Sequence, residues 1–93
     1  MYDKILFAGG SEVHETLFYG EAENLGDSEK LTPVAWYAFR VTPGDKKKKP
    51  YDLLRFITED GELYTTFHYA TISMFAVQTV LGKKKFTFTS SIE

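Results

Sequence analysis

Cysteine is absent from this 93-residue chain. Its absence excludes a disulfide framework, thiolate catalysis and any cysteine-based zinc site. It fits a reducing cytoplasm. Long apolar runs are missing too. The N-terminal run Ile5 to Ala8 has four residues and follows an acid, Asp3, so no signal peptide is expected. No stretch approaches the roughly 20 apolar residues of a membrane helix. A soluble cytoplasmic protein with no membrane partner is therefore expected.

Motifs for chemistry are equally scarce. The only two histidines, His14 and His68, lie far apart, without a metal-ligand spacing. Glu21, Glu23, Asp27 and Glu29 share one segment but lack the D-x-D-x-D-G calcium pattern. Glu59, Asp60 and Glu62 surround a turn and read as turn formers. No serine sits in a G-x-S-x-G elbow. Gly9-Gly10 lacks the lysine and third glycine of a phosphate loop. The chain is expected to have no catalytic residues, no metal and no cofactor, and not to be an enzyme.

What is present is an uneven charge distribution and a surplus of rings. The formal net charge is −2. Residues 1–30 carry seven acids and two bases; residues 31–93 carry nine bases and six acids. Such a split points to a polyanion partner, or to two halves that each solvate their own surface. Lys46, Lys47, Lys48 and Lys49 are consecutive. Four adjacent ammonium groups repel one another and stay hydrated; against a nucleic-acid backbone they would release condensed counterions. The plainer reading is a soluble loop. Eight phenylalanines, six tyrosines and one tryptophan are more than a small core readily hides, so some should lie open as stacking surfaces.

One domain, 1–93, is expected from the length. It divides into an acidic N-terminal hairpin and loop (1–30) and a basic-biased unit (31–93). Residues 2–8 read as a short strand. Residues 11–19 suit either a second strand or a short helix capped by Ser11, with the hairpin favoured by the Gly-Gly turn before them. Residues 20–30 read as a polar loop. "PVAWYAFRVT" (33–42) is the clearest strand, ended by a Pro43-Gly44 type II turn. Residues 51–69 read as a hairpin around Asp60-Gly61. A two- or four-residue loop sets Thr58 opposite Leu63, which makes Leu54, Phe56, Leu63 and Phe67 the core side and turns Arg55, Ile57, Tyr64, Thr66 and His68 outward. Ile72, Phe75, Ala76, Thr79 and Val80 recur with helical spacing, with Thr71 as cap and Gly82 just past the end. Residues 85–92 alternate as a final strand.

The expected class is mostly β with one short α-helix. From residue 33 the order strand, basic loop, hairpin, helix, strand resembles the OB fold, whose loop between strands one and two and face of strands two and three bind oligonucleotides or oligosaccharides. The resemblance covers about 60 residues and needs an N-terminal strand to close the barrel. The alternative is an open, twisted antiparallel sheet with one helix packed on it. The reading that follows is a small single-stranded nucleic-acid-binding protein of low sequence specificity. Its expected site is Trp36, Arg40, Arg55, Tyr64 and His68 beside Lys46 to Lys49. The alternative is a protein-interaction or inhibitory module. That module would use an aromatic patch, an acidic loop resembling a phosphate backbone, or a free edge strand able to pair two copies as a homodimer.

Overall fold

The central strand pair explains most of the architecture. In the computed structural model, which describes residues 2–11 and 20–91, β4 (Pro33–Val41) pairs antiparallel with β5 (Tyr51–Thr58), setting Trp36 opposite Phe56 and Ala38 opposite Leu54. β1 (Tyr2–Gly10) flanks β4, and β6 (Leu63–Thr66) flanks β5. β2 (Glu23–Asn24) adds to β6 in parallel, giving the order β1-β4-β5-β6-β2. A small ribbon joins β3 (Lys30–Leu31) to β7 (Phe88–Thr89). One helix, α1 (Tyr69–Val80), packs on the sheet. Among the described residues the fold is thus mostly β with one helix. Of the two expected architectures the open sheet is the one observed, with β1 and β2 as its edges among the described residues. The alternatives for residues 11–19, apart from Ser11, fall outside the described residues, as does His14.

β4 is buried almost throughout, on both faces. Trp36 and Ala38 join Leu54, Phe56, Tyr64, Ile72, Phe75 and Phe88 beneath the helix. Ala35, Tyr37 and Phe39 form a second cluster on the opposite face, with Ile57 and Leu63 against it. The near-continuous apolar run of "VAWYAF" suits a strand covered on both sides; an exposed outer face would require alternation.

The Asp60-Gly61 hairpin is real, but its loop has three residues. Thr58 N–H donates to the Glu62 carbonyl at 2.9 Å, and Gly61 N–H donates to the Thr58 carbonyl at 2.9 Å. Gly61 has φ +84°, a left-handed conformation that glycine enters without a Cβ clash. An odd loop shifts the expected register by one. Ile57 faces Leu63, Phe56 faces Tyr64 and Leu54 faces Thr66. Because side chains alternate, the shift exchanges the faces of β6. Tyr64 goes into the core and stacks on Phe56, with ring centroids 5.5 Å apart. Phe67, expected in the core, lies 71% exposed.

Other boundaries differ from expectation in smaller ways. The Pro43-Gly44 type II turn is not formed, since Gly44 lacks a positive φ. Asp45 turns the chain instead, its carbonyl and Oδ1 accepting from Lys48 N–H at 3.0 Å and Lys47 N–H at 2.9 Å. The helix begins two residues before Thr71, with His68 at the N-cap, and the buried Thr71 bonds to His68 Nδ1 at 3.0 Å. At its other end Gly82 N–H donates to Thr79 and Lys83 N–H to Gln78, the pair of bonds that defines a Schellman motif, with Gly82 at φ +74°. Val80, expected on the buried side, is exposed. The final strand shrinks to Phe88–Thr89. The polar loop 20–30 supplies β2, part of β3 and the buried Leu25.

Trp36 locks the helix to the sheet. It has no exposed surface, and its indole N–H donates to Thr79 Oγ1 at 2.7 Å. Phe75 and Phe86 meet it edge-on at 5.7 and 5.2 Å. On the β1 side Gly9 lies so close that a Cβ there would sit 2.5 Å from the indole nitrogen. Gly9→Ala is expected to destabilise the protein by about 1–3 kcal/mol through overpacking. Thr79→Val should cost about 1–3 kcal/mol by stranding a buried N–H. Urea denaturation followed by emission of the single tryptophan checks both; unchanged midpoints would show that this contact does not hold the helix.

Candidate nucleic-acid interface

The expected site residues divide into two groups. Trp36, Tyr64 and Arg55 are inside. Trp36 and Tyr64 belong to the core under the helix, with no exposure and 8% exposure. Neither offers a face for stacking, which corrects the expectation that both lie open. Arg55 is buried, and its guanidinium donates to the Gly20 carbonyl. Paired with Tyr37 and Thr65 in the ladder, it is on the sheet face opposite Trp36. These two residues therefore cannot act on one surface.

Arg40, the lysine loop and His68 are outside or at the boundary. Arg40 is exposed and chelates Asp52, through Nε to Oδ1 at 2.9 Å and Nη2 to Oδ2 at 3.5 Å. That hydrogen bond, and then the carboxylate charge, raise the Arg40 pKa above its ordinary value. Lys46 to Lys49 are all exposed and, among the described residues, none forms an ion pair. His68 is half-buried at the start of the helix.

Open rings do exist beside the lysines, but they are different rings. Tyr51 is 46% exposed and Tyr69 is 77% exposed, with Phe67 between them in the surface. Tyr51 and Phe67 meet edge-on, centroids 6.4 Å apart. The odd hairpin loop puts them there. β6 pairs only as far as Thr66, and the same register continued would bring Phe67 beside Leu53, two residues from Tyr51 and on the same face of β5. Two hollows open on either side of Phe67. One, of 560 Å³, is lined by Arg40, Lys49, Pro50, Tyr51, Asp52, Phe67, Tyr69 and Ile72. The other, of 410 Å³, is lined by Asn24, Leu25, Thr65, Thr66, Phe67, His68 and Tyr69. The first turn of α1 carries no acid, so its exposed N–H groups leave a partial positive charge at this end of the sheet.

Acids gather at the other end. Glu59, Asp60 and Glu62 border the hairpin turn, and Lys85 reaches Glu59 at 3.8 Å. Both ends mix signs: Lys85 pairs with Glu59 at the turn and Asp52 with Arg40 at the ring end, where Lys46 to Lys49 add cations that form no ion pair among the described residues. Tyr51, Phe67 and Tyr69 were legible only as neighbours: Tyr51 follows the lysine loop at once, and Phe67-His68-Tyr69 immediately precedes the helical spacing.

Comparison with known protein families, curated proteins and solved structures returned no match. Among the described residues no helix is long and apolar enough to cross a membrane, and no cluster of histidine and acidic side chains is arranged to hold a metal.

The acidic end has a measurable consequence. Burial raises the Tyr64 pKa, and the charges of Glu29, Glu23, Glu62 and Asp60 raise it further. The native state thus holds the phenol proton more firmly than the unfolded chain does. This contribution is fully present below the ordinary tyrosine pKa of about 10 and is lost as pH rises through the higher native value. Stability is expected to fall above about pH 10, and less steeply in Tyr64→Phe. Thermal melts of both proteins across that range check this.

Proposed function

We propose that this domain is a cytoplasmic, non-catalytic protein that binds single-stranded nucleic acid with little overall sequence preference. The observation that carries the reading is the convergence of three exposed rings, Tyr51, Phe67 and Tyr69, with Arg40 and with Lys49, the last residue of the exposed run Lys46 to Lys49, around one hollow. Rings stack on any base, at about 1–3 kcal/mol each. Lysines follow the phosphates and make the affinity depend on salt. The acidic turn lies at the other end of the β5–β6 hairpin, away from the rings, where it does not oppose an incoming polyanion.

A protein partner is the second reading. It is favoured by Val77, Val80 and Leu81, which are exposed towards the end of α1 and which base stacking leaves unused. Pairing of two copies through an edge strand draws less support. β1 is nine residues long, but its register shifts between Tyr2 and Lys4 and again between Ile5 and Phe7, and such irregularity discourages a further strand.

Anisotropy of a labelled thymidine oligomer tests the proposal. Phe67→Ala or Tyr69→Ala should weaken binding about 5- to 100-fold, the range that one stacked base represents. Serine at positions 46 to 49 should flatten the dependence of log affinity on log salt by up to about 3, near 0.7 per phosphate contact. In each variant the emission of Trp36 should stay unchanged, because that residue reports folding and not occupancy. A wild-type protein that leaves the oligomer unbound at low salt would direct the assignment to the protein partner.

A further inference from the structure

The outer face of α1 is built unlike that of a solvated helix. A helix lying on a sheet ordinarily turns charged side chains to water. The residues of α1, YATISMFAVQTV, include no charged side chain. Ile72 and Phe75 are buried and Thr79 bonds to Trp36, which fixes the inner side. Helical spacing then sends Val77 and Leu81 the opposite way, with Val80 beside them. They are 54%, 63% and 87% exposed. None of the three lines a hollow beside Phe67.

Cations are fixed at the end of this stripe. The Schellman bonds of Gly82 and Lys83 set the direction in which the chain leaves the helix. In that motif an apolar residue after the glycine often packs back on the last turn. Here that position holds Lys83, and Val77 keeps its exposure. Lys83 and Lys84 are exposed and form no ion pair among the described residues.

Three kinds of occupant suit an apolar stripe with cations at its end, and two meet obstacles. A second copy of α1 brings no acid to Lys83 and Lys84, because the helix is uncharged. A flat anionic lipid surface would meet Glu59, which pairs with Lys85, and its exposed neighbour Asp60 together with the lysines. A single acidic, amphipathic helix is narrow enough to follow the stripe, and it supplies both complements. We propose that this face docks such a helix from another protein, running antiparallel to α1. Its apolar residues at i, i+3 and i+4 pack on Val77, Val80 and Leu81. Acids in its first turn meet Lys83 and Lys84, and its positive N-terminal end lies beside the negative C-terminal end of α1. The inference gives the protein-partner reading a surface and a ligand, and it is independent of nucleic-acid binding at the rings.

The test uses a labelled peptide of about five helical turns. It has glutamates in its first turn, leucines at i, i+3, i+4 and i+7, and alanine and glutamine elsewhere. A second peptide has glutamine for every glutamate, and a third has the residues of the first in non-periodic order. By anisotropy, wild type should bind the first at least about fivefold more tightly than either of the others. Val80→Ser with Leu81→Ser should weaken that binding at least about tenfold, since both side chains lose apolar contact. Lys83→Gln with Lys84→Gln should erase the preference for glutamate over glutamine. Both variants should retain native Trp36 emission, and amide NMR shifts in wild type should centre on residues 77–84. Absence of peptide binding at millimolar concentration would overturn the proposal. Equal affinity for the ordered and non-periodic peptides, or affinity that survives Val80→Ser with Leu81→Ser, would also overturn it. Sedimentation with phosphatidylserine vesicles, or a dimer in solution, that is lost in the serine variant would give the face to lipid or to a second copy instead. Each of these results leaves the thymidine-oligomer test to decide the nucleic-acid reading by itself.

Discussion

The bond from the Trp36 indole to Thr79 is the constraint on which the rest of the molecule turns. Thr79 Oγ1 accepts that proton and donates its own to the Phe75 carbonyl at 2.8 Å, one turn back in the helix. One hydroxyl thus satisfies a buried donor from the sheet while staying within the helix's own hydrogen-bonding pattern. Around it lie Phe75, Phe86, Phe56 and Phe88, in mostly edge-on contacts between 5.0 and 5.9 Å. Gly9 allows the indole to approach the neighbouring strand. With the helix fixed in this way, its first residue, Tyr69, comes to the rim beside Phe67 and Tyr51. Position at the surface follows from a contact in the core.

The acidic first third of the chain takes part in this framework and is not an appendage to it. β1 contributes both Leu6 and Phe7 to the core, two successive residues turned inward where the register slips between Ile5 and Phe7. β2 covers the outer edge of β6. Ser90 ties the chain end back to the same region, its Oγ donating to the Gly26 carbonyl at 2.6 Å and accepting from Glu29 N–H at 2.9 Å. The two stretches of unlike charge visible in composition are therefore folded into one body.

Strand content, the hairpin, the helix Tyr69–Val80 and its glycine stop were all legible in the sequence, because β-rich runs, Asp-Gly and a 3.6-residue period each act locally. The membership of the two faces was less so. A hairpin loop of two or four residues and one of three look alike in composition, yet they assign opposite faces to every residue after the turn. Tyr64 and Phe67 exchanged places for that reason alone. Trp36 was misread for another: its strand lacks polar alternation, a sign of burial on both sides. Some rings lie open, as fifteen aromatics in a small chain led one to expect, but Trp36 and Tyr64, the rings named for stacking, are not among them. Which rings were open depended on parity and on helix docking, neither of which is encoded in a short window.

The same parity distinguishes the two loops of the central meander in what they can tolerate. Adding or deleting one residue between Thr58 and Glu62 would turn the β6 side chains over, bringing Leu63 and Thr65 under the helix and expelling Tyr64. Loop 42–50 faces no such restriction. It is solvated, closed on itself by Asp45, and joins strands whose alignment is set by their own pairing. Variation in chain length during divergence should therefore accumulate in the lysine finger, leaving the acidic turn at constant size, so reach towards a ligand can change while the rim that receives it does not.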